Sequence, residues 1–159
     1  MAYRYSTPIT ENCAKAVGVA LPISRKESTM ICQAIRGKQV AKAKKILEDA
    51  IALKAPIPFT RYNDDMGHKR GMAAGRYVVS ACAYVLTILK SVEANAQFKG
   101  LSTANLVIRH ASAQKGPTAH HFGRQRTKAK RTHIELVVQE KKQEEKKVRK
   151  QEKKQEANK

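Results

Sequence analysis

The chain has no tryptophan, and five tyrosines and three phenylalanines bring aromatics to only 5% of its 159 residues. A folded core must therefore be built from aliphatic and small side chains rather than from large rings. Cysteine is scarce as well. Cys13, Cys32 and Cys82 are odd in number, widely spaced and without a C-x-x-C pair. That pattern excludes a disulfide framework and a zinc site, and leaves three small buried hydrophobes. Long apolar runs are missing too. The longest, Tyr77 to Leu89, already holds Ser80 and Thr87 and is fenced by Arg76 and Lys90. A membrane span needs roughly 20 apolar residues, so this run reads as a buried core helix. Met1 to Ser6 contain no apolar segment of the signal-peptide kind. The expectation is a cytosolic protein with no membrane partner.

Acidic residues are the other shortage: 13 Asp and Glu stand against 32 Lys and Arg, for a formal net charge of +19. Such an excess repels itself in the compact state and attracts polyanions. Nucleic acid is the first candidate, because each neutralised phosphate releases condensed counterions. The shortage is sharpest between two alternating segments, Leu106-Val107-Ile108-Arg109-His110 and Thr132-His133-Ile134-Glu135-Leu136-Val137-Val138. Between them lie Lys115, His120, His121, Arg124, Arg126, Lys128, Lys130 and Arg131, with no Asp or Glu at all. Ile134, Leu136 and Val138 share one face, the period-2 pattern of a half-buried strand. A loop of about 20 residues exceeds an ordinary hairpin turn, and loops that long are usually functional or disordered. Its charge suggests that a polyanion orders it.

The remaining segments complete a domain. Ala14 to Leu21 form a first strand closed by Pro22, and Ser24-Arg25-Lys26-Glu27 read as a capping box. Met30, Ile31, Ala34 and Ile35 follow at helical spacing, with Gly37 suited to the C-terminal cap. A second helix runs from Val40 to Leu53, with Val40, Ala43, Ile46, Leu47, Ala50 and Ile51 as its apolar stripe, and Pro56 and Pro58 stop it. Phe59 to Gly75 read as a polar loop. A third helix spans Arg76 to Phe98, with a stripe of Val79, Cys82, Leu86, Leu89 and Val92, and ends at Gly100. From Gln139 onward the chain is Lys, Glu and Gln with almost nothing apolar, so residues 141–159 are expected to be a disordered or lone-helical charged tail.

The expected fold is α+β: three helices on a small three-stranded antiparallel sheet, with a long projecting β-hairpin and the charged tail. Residues 1–140 form a single domain, with 106–138 as the hairpin and about 112–131 as its loop. Arms of roughly 12 to 15 residues at about 3.4 Å each would reach some 40 to 50 Å.

In this order the segments resemble the large-subunit ribosomal protein L-twenty-two family, named L-seventeen in its eukaryotic members. The landmarks are Pro22-Ile23-Ser24, Ala34-Ile35-Arg36-Gly37-Lys38, Pro56-Ile57-Pro58-Phe59-Thr60-Arg61-Tyr62-Asn63, Gly75-Arg76-Tyr77, Glu93-Ala94-Asn95-Ala96-Gln97-Phe98-Lys99-Gly100-Leu101 and Phe122-Gly123-Arg124. Each is weak singly; in series they are specific, and they point to the archaeal and eukaryotic branch. Three features depart from the pattern, one being the tail beyond Glu140, which looks like an added extension. The hairpin loop is several residues shorter, and Val78, Val79, Ser80 and Ala83 stand where the family commonly has a proline and lysines.

The resemblance implies a body near the polypeptide exit and a hairpin threading inward through ribosomal RNA to line the nascent-chain tunnel. The implied partners are large-subunit ribosomal RNA, neighbouring ribosomal proteins and the nascent polypeptide, with no homo-oligomer, cofactor or metal. Residues expected to bind RNA are Arg25, Lys26, Arg36, Lys38, Arg61, Lys69, Arg70, Arg76, Lys115, His120, His121, Arg124, Arg126, Lys128, Lys130 and Arg131. His120, His121, Phe122, Gly123, Arg124 and Gln125 are the tunnel-lining candidates. Arg and Lys position a phosphate backbone without reading sequence, and Arg, His and Phe side chains stack on bases. Arg25 and Lys26 also oppose the dipole of the first helix, a broken local rule that often marks a binding surface.

Other functions have weaker support in the chain. Asp64, Asp65 and His68 invite a metal-dependent nuclease reading, but they sit together in one polar loop, where turn chemistry accounts for them. Adjacent His120 and His121 diverge and lack a third ligand. No catalytic residue is expected. The main alternative is a dissociable RNA chaperone or processing factor using the same basic surface.

Overall fold

The computed structural model describes residues 3–8, 12–124 and 127–141. Gln125, Arg126 and the tail beyond Lys141 lie outside the described residues.

The centre of the fold is the antiparallel sheet of β1 (Cys13–Leu21), β8 (Thr132–Glu140) and β5 (Leu106–Lys115), in that order. The strand nearest the C-terminus is thus the middle one. Ile134, Leu136 and Val138 of β8 join Leu106, Ile108 and Ala111 of β5 in one buried face. Onto it pack α1 (Arg25–Ile35), α2 (Val40–Ile51) and α3 (Val79–Phe98), bringing Ile31, Ile35, Leu47, Leu89 and Val92. Each fully buried aliphatic of this kind is worth about 1.5–3 kcal/mol. The three cysteines are buried thiols, small members of this interior. Burial pushes the Cys32 thiol up to about 12 and Cys82 to about 11, so neither is a reactive thiolate at neutral pH.

α3 presses close on β1. A Cβ on Gly18 would stand 2.5 Å from Ile88 Cδ1, and β1 shifts register against β8 between Gly18 and Leu21, where Ala20 takes a φ of 52°. The buried residues of α3 are Ala81, Cys82, Val85, Ile88, Leu89, Val92 and Ala96. Val79, placed on the apolar stripe from the sequence, is exposed instead.

Three local expectations change. Ser24 does occupy the N-cap of α1, but its side chain makes no capping bond; Glu27 instead lies 3.7 Å from Arg76. The segment read as a polar loop, Phe59 to Gly75, instead holds β3 (His68–Lys69) and most of β4 (Met72–Arg76), which with β2 (Ile57–Pro58) just before it form a second small sheet in the order β2, β4, β3. Because Arg76 pairs with Ile57 in that sheet, α3 begins at Val79 rather than at Arg76.

The third change concerns the hairpin. β5 and β8 stay paired as far as Lys115 and Thr132, so the loop begins beyond Lys115 and not at 112. The ladder then resumes in β6 (Ala119–His120) and β7 (Lys128–Ala129). At the break, the Gly116 amide donates to the Arg131 carbonyl at 2.9 Å. A Cβ on Gly116 would sit 3.0 Å from the Arg131 backbone, which is why glycine fits this crossing.

Candidate nucleic-acid interface

The hairpin carries its cations on paired backbone almost to its end. The His121 amide donates to the Thr127 carbonyl at 3.0 Å, leaving only a short tip. There Phe122 is 96% exposed and Gly123 has a φ of +62°. Lys115, His120, His121, Arg124, Lys128 and Lys130 are exposed, and Arg131 is half-buried beside Gly116. Arg126 and Gln125 are outside the described residues. Among the described residues, none of these hairpin cations forms an ion pair with a carboxylate. An exposed apolar ring among unpaired cations offers both stacking and phosphate contacts.

A second group gathers at the N-terminal end of α1. The Arg25 guanidinium lies 5.9 Å and the Lys26 ammonium 5.5 Å from the centre of the Tyr62 ring. Exposed Arg61 precedes that ring, and Tyr62 itself takes a φ of 55°. Arg76 joins the group through Glu27. Lys69 ends β3 and Arg70 begins the β3–β4 turn, where Gly71 has a φ of +78°, and the Lys69 ammonium lies 5.7 Å from the centre of the Tyr77 ring. Arg25, Lys26 and Lys69 thus flank aromatic rings, which hold them by cation–π attraction while they remain exposed.

Arg36 and Lys38 are placed differently. The Arg36 guanidinium donates to the Ala111 carbonyl at 2.5 Å. The Gly37 amide donates to the Ile108 carbonyl, and the Ile108 amide to the Lys38 carbonyl, each at 2.9 Å. The α1–α2 connection therefore pins the root of β5, and Arg36 takes part in holding the hairpin to the body. Asp64, Asp65 and His68 are exposed. The Met66 amide donates to the Asn63 carbonyl at 3.1 Å and Asp65 has a φ of 56°, the geometry of a turn.

One buried cluster was not anticipated. Glu135 is fully buried in the middle of β8, on the face opposite the helices. It accepts hydrogen bonds from the Tyr3 hydroxyl at 2.8 Å, the Ser6 hydroxyl at 2.6 Å, the Ser6 amide at 3.2 Å and Gln114 Nε2 at 2.8 Å. His110 Nε2 lies 3.4 Å away. Burial alone would raise its pKa, but the hydrogen bonds from Ser6, Tyr3 and His110 outweigh it and leave the carboxyl below its ordinary value. Residues 3–8 thus lie as a strap over the outer face of the sheet. The strap is anchored by Glu135 and reinforced by a Tyr3–Tyr5 edge contact at 5.4 Å and by Lys15 at 5.1 Å from the Tyr5 ring. Burial and its partners also push the Tyr3 hydroxyl up to about 12. The available signal was a carboxylate flanked by apolar residues within an alternating strand.

Among the described residues, no helix is long and apolar enough to cross a membrane. The chain is similar to proteins named large ribosomal subunit protein uL22. That of Staphylothermus marinus is 46% identical over 150 residues, covering 87% of this chain and 96% of the relative. The Archaeoglobus fulgidus protein is 43% identical over 146 residues, covering 86% and 94%, and that of Ignicoccus hospitalis is 42% identical over 154 residues, covering 87% and 97%. The family described as ribosomal protein L22p/L17e matches residues 16–139, from β1 through nearly all of β8. With sheet, helices and hairpin all inside that match, the chain belongs to the ribosomal protein L22p/L17e family, in its archaeal type.

Proposed function

We propose that this chain is a ribosomal RNA-binding component of the large subunit. On this reading its body sits near the polypeptide exit, and its hairpin runs through the RNA to line the nascent-chain tunnel. Membership of a ribosomal protein family makes its role structural rather than catalytic, as a part of ribosomes in the cytoplasm. The observation that carries the RNA reading is the hairpin: a paired stem whose exposed cations have, among the described residues, no carboxylate partners. Phosphate neutralisation there would release counterions and offset the ordering of the tip. Lys115, His120, Arg124, Lys128 and Lys130 are the principal contacts, with Arg25, Lys26, Arg61, Lys69, Arg70 and Arg76 forming a second surface on the body. His120 to Arg124 would border the tunnel and meet the nascent chain. The same contacts would make the protein an early brace for subunit assembly.

The test is a chain in which residues 117–130 are replaced by an Asn-Gly turn, closing the stem where Gly116 already bonds to Arg131. The body should fold as before, while stable incorporation into large subunits is impaired. Incorporation equal to the full-length chain, with unchanged nascent-chain behaviour, would remove the role given to the hairpin.

A further inference from the structure

The return arm of the hairpin and the body border an open cleft of about 490 Å³. Its walls come from three parts of the sequence. Lys128, Lys130 and Arg131 line the hairpin side, and Ser24, Glu27 and Ser80 line the body side. Glu27 is the single carboxylate of the lining, and Arg76 lies 3.7 Å from it. The lining is therefore strongly cationic, with two hydroxyls opposite the cations.

The body wall adds donors of its own. It is formed where α1 and α3 begin, and neither Ser24 nor Val78, their N-cap residues, makes a side-chain capping bond. The first amides of both helices lack intrahelical partners and carry the positive end of the helix dipole. Three long-stemmed cations on one wall and fixed amide dipoles with hydroxyls on the other make a complementary pair of surfaces for a phosphate. The lining has no Phe or Tyr on which a base would stack, His121 being its sole aromatic side chain. Its volume falls within the roughly 300–1,000 Å³ of sites that enclose drug-sized ligands, more than a lone small anion fills.

We propose that this cleft takes a phosphodiester of an RNA strand passing between hairpin and body, held by Lys128, Lys130 and Arg131 on one side and by Ser24 and Ser80 on the other. The inference rests on the RNA-binding reading above and adds to it a site bridging two elements, one of them the start of α3. RNA in this position would fix the hairpin against the body as well as bind it.

The experiment compares two single-charge variants of the full chain, Ser80→Asp and Ser91→Asp, for binding to a transcript of large-subunit ribosomal RNA over a range of salt. Both add one carboxylate to an exposed position of α3, but only Ser80 lines the cleft. An acid in the first turn of a helix favours the helix, so Ser80→Asp should melt at or above the wild-type temperature. Its RNA affinity should fall about tenfold, the scale of one charge-assisted hydrogen bond. Its slope of log K against log salt should shrink by about 0.7–0.9, the share of one phosphate. Ser91→Asp should weaken binding about twofold or less, with the slope unchanged, because its charge acts only through screened solvent. Ser80→Ala, which adds no charge, should weaken binding by about threefold through removal of the hydroxyl donor.

Equal effects of the two acidic variants, or no effect of either, would overturn the cleft while leaving RNA binding by the hairpin in place. Wild-type binding that is weak and insensitive to salt would instead overturn the RNA reading itself. Inorganic phosphate supplies the last arm. If it raises the melting temperature of wild type but not of Ser80→Asp, while RNA affinity is the same for both acidic variants, the cleft holds a free anion and the phosphodiester proposal fails.

Discussion

Glu135 shows how much one residue can organise here. It is the only fully buried carboxylate among the described residues, and it satisfies donors from both the strap and β5. Replacing it with Ala leaves those donors facing an apolar group, and Gln gives them one neutral acceptor oxygen beside an amide that itself donates. The expected cost is about 2 to 4 kcal/mol in urea unfolding, the range for losing a buried hydrogen-bonded charge. The Ser6 amide should then exchange with solvent much faster. The pH dependence follows from the same bonds. The folded-state pKa of Glu135 lies below its ordinary 4.5. Its contribution is therefore complete above that value and is lost as pH falls through the folded pKa. Acid unfolding of the wild type below about pH 4.5 should be steeper than that of Glu135→Gln; parallel curves would show that the carboxylate stabilises nothing. Gly116 is the second sensitive residue. Gly116→Ala must move the Arg131 backbone, 3.0 Å from the new Cβ, and should destabilise the chain by about 1–3 kcal/mol, as overpacking does.

The elements differ in how plainly the sequence announces them. Helical spacing marked α1 and α2, each burying one face, and period-2 alternation marked β8, whose Ile134, Leu136 and Val138 face the helices although Glu135 and Val137 on its other face are buried too. β3 is two residues long and β4 five, Met-Ala-Ala-Gly-Arg with no β-branched or aromatic side chain, too little for any period to register, so residues 59–75 read as loop. Glu135 escaped because its covering strap comes from residues 3–8, a partnership between distant positions that local pattern does not carry. The hairpin cations were legible from the missing acids alone. What they face was not, since the cleft at the starts of α1 and α3 arises only when the hairpin meets the body. The Asn-Gly replacement of residues 117–130 separates element from body. Its urea-unfolding midpoint should match the wild type, while the salt slope of RNA binding falls by about 0.7–0.9 for each phosphate no longer neutralised. A large fall in stability would mean that the hairpin is part of the core.

At the scale of the whole molecule, a net charge of +19 works against the compact state and in favour of a polyanionic partner. The two consequences have opposite salt dependence. Salt screens self-repulsion, so the melting temperature of the isolated chain should rise as the Debye length shrinks from about 30 Å at 0.01 M to about 8 Å at 0.15 M. Over the same range its RNA affinity should drop. An aliphatic core carrying a strongly cationic arm is the design expected of a building block rather than of a free enzyme.

The most direct test is sedimentation of a cell lysate through a salt-washed sucrose gradient, with this protein quantified against large-subunit ribosomal RNA. A built-in RNA-binding component will travel with the large subunit in a stoichiometric ratio that survives the wash. Release into the light fractions, or a ratio far below stoichiometric, would contradict that account and mark the chain as a dissociable RNA factor.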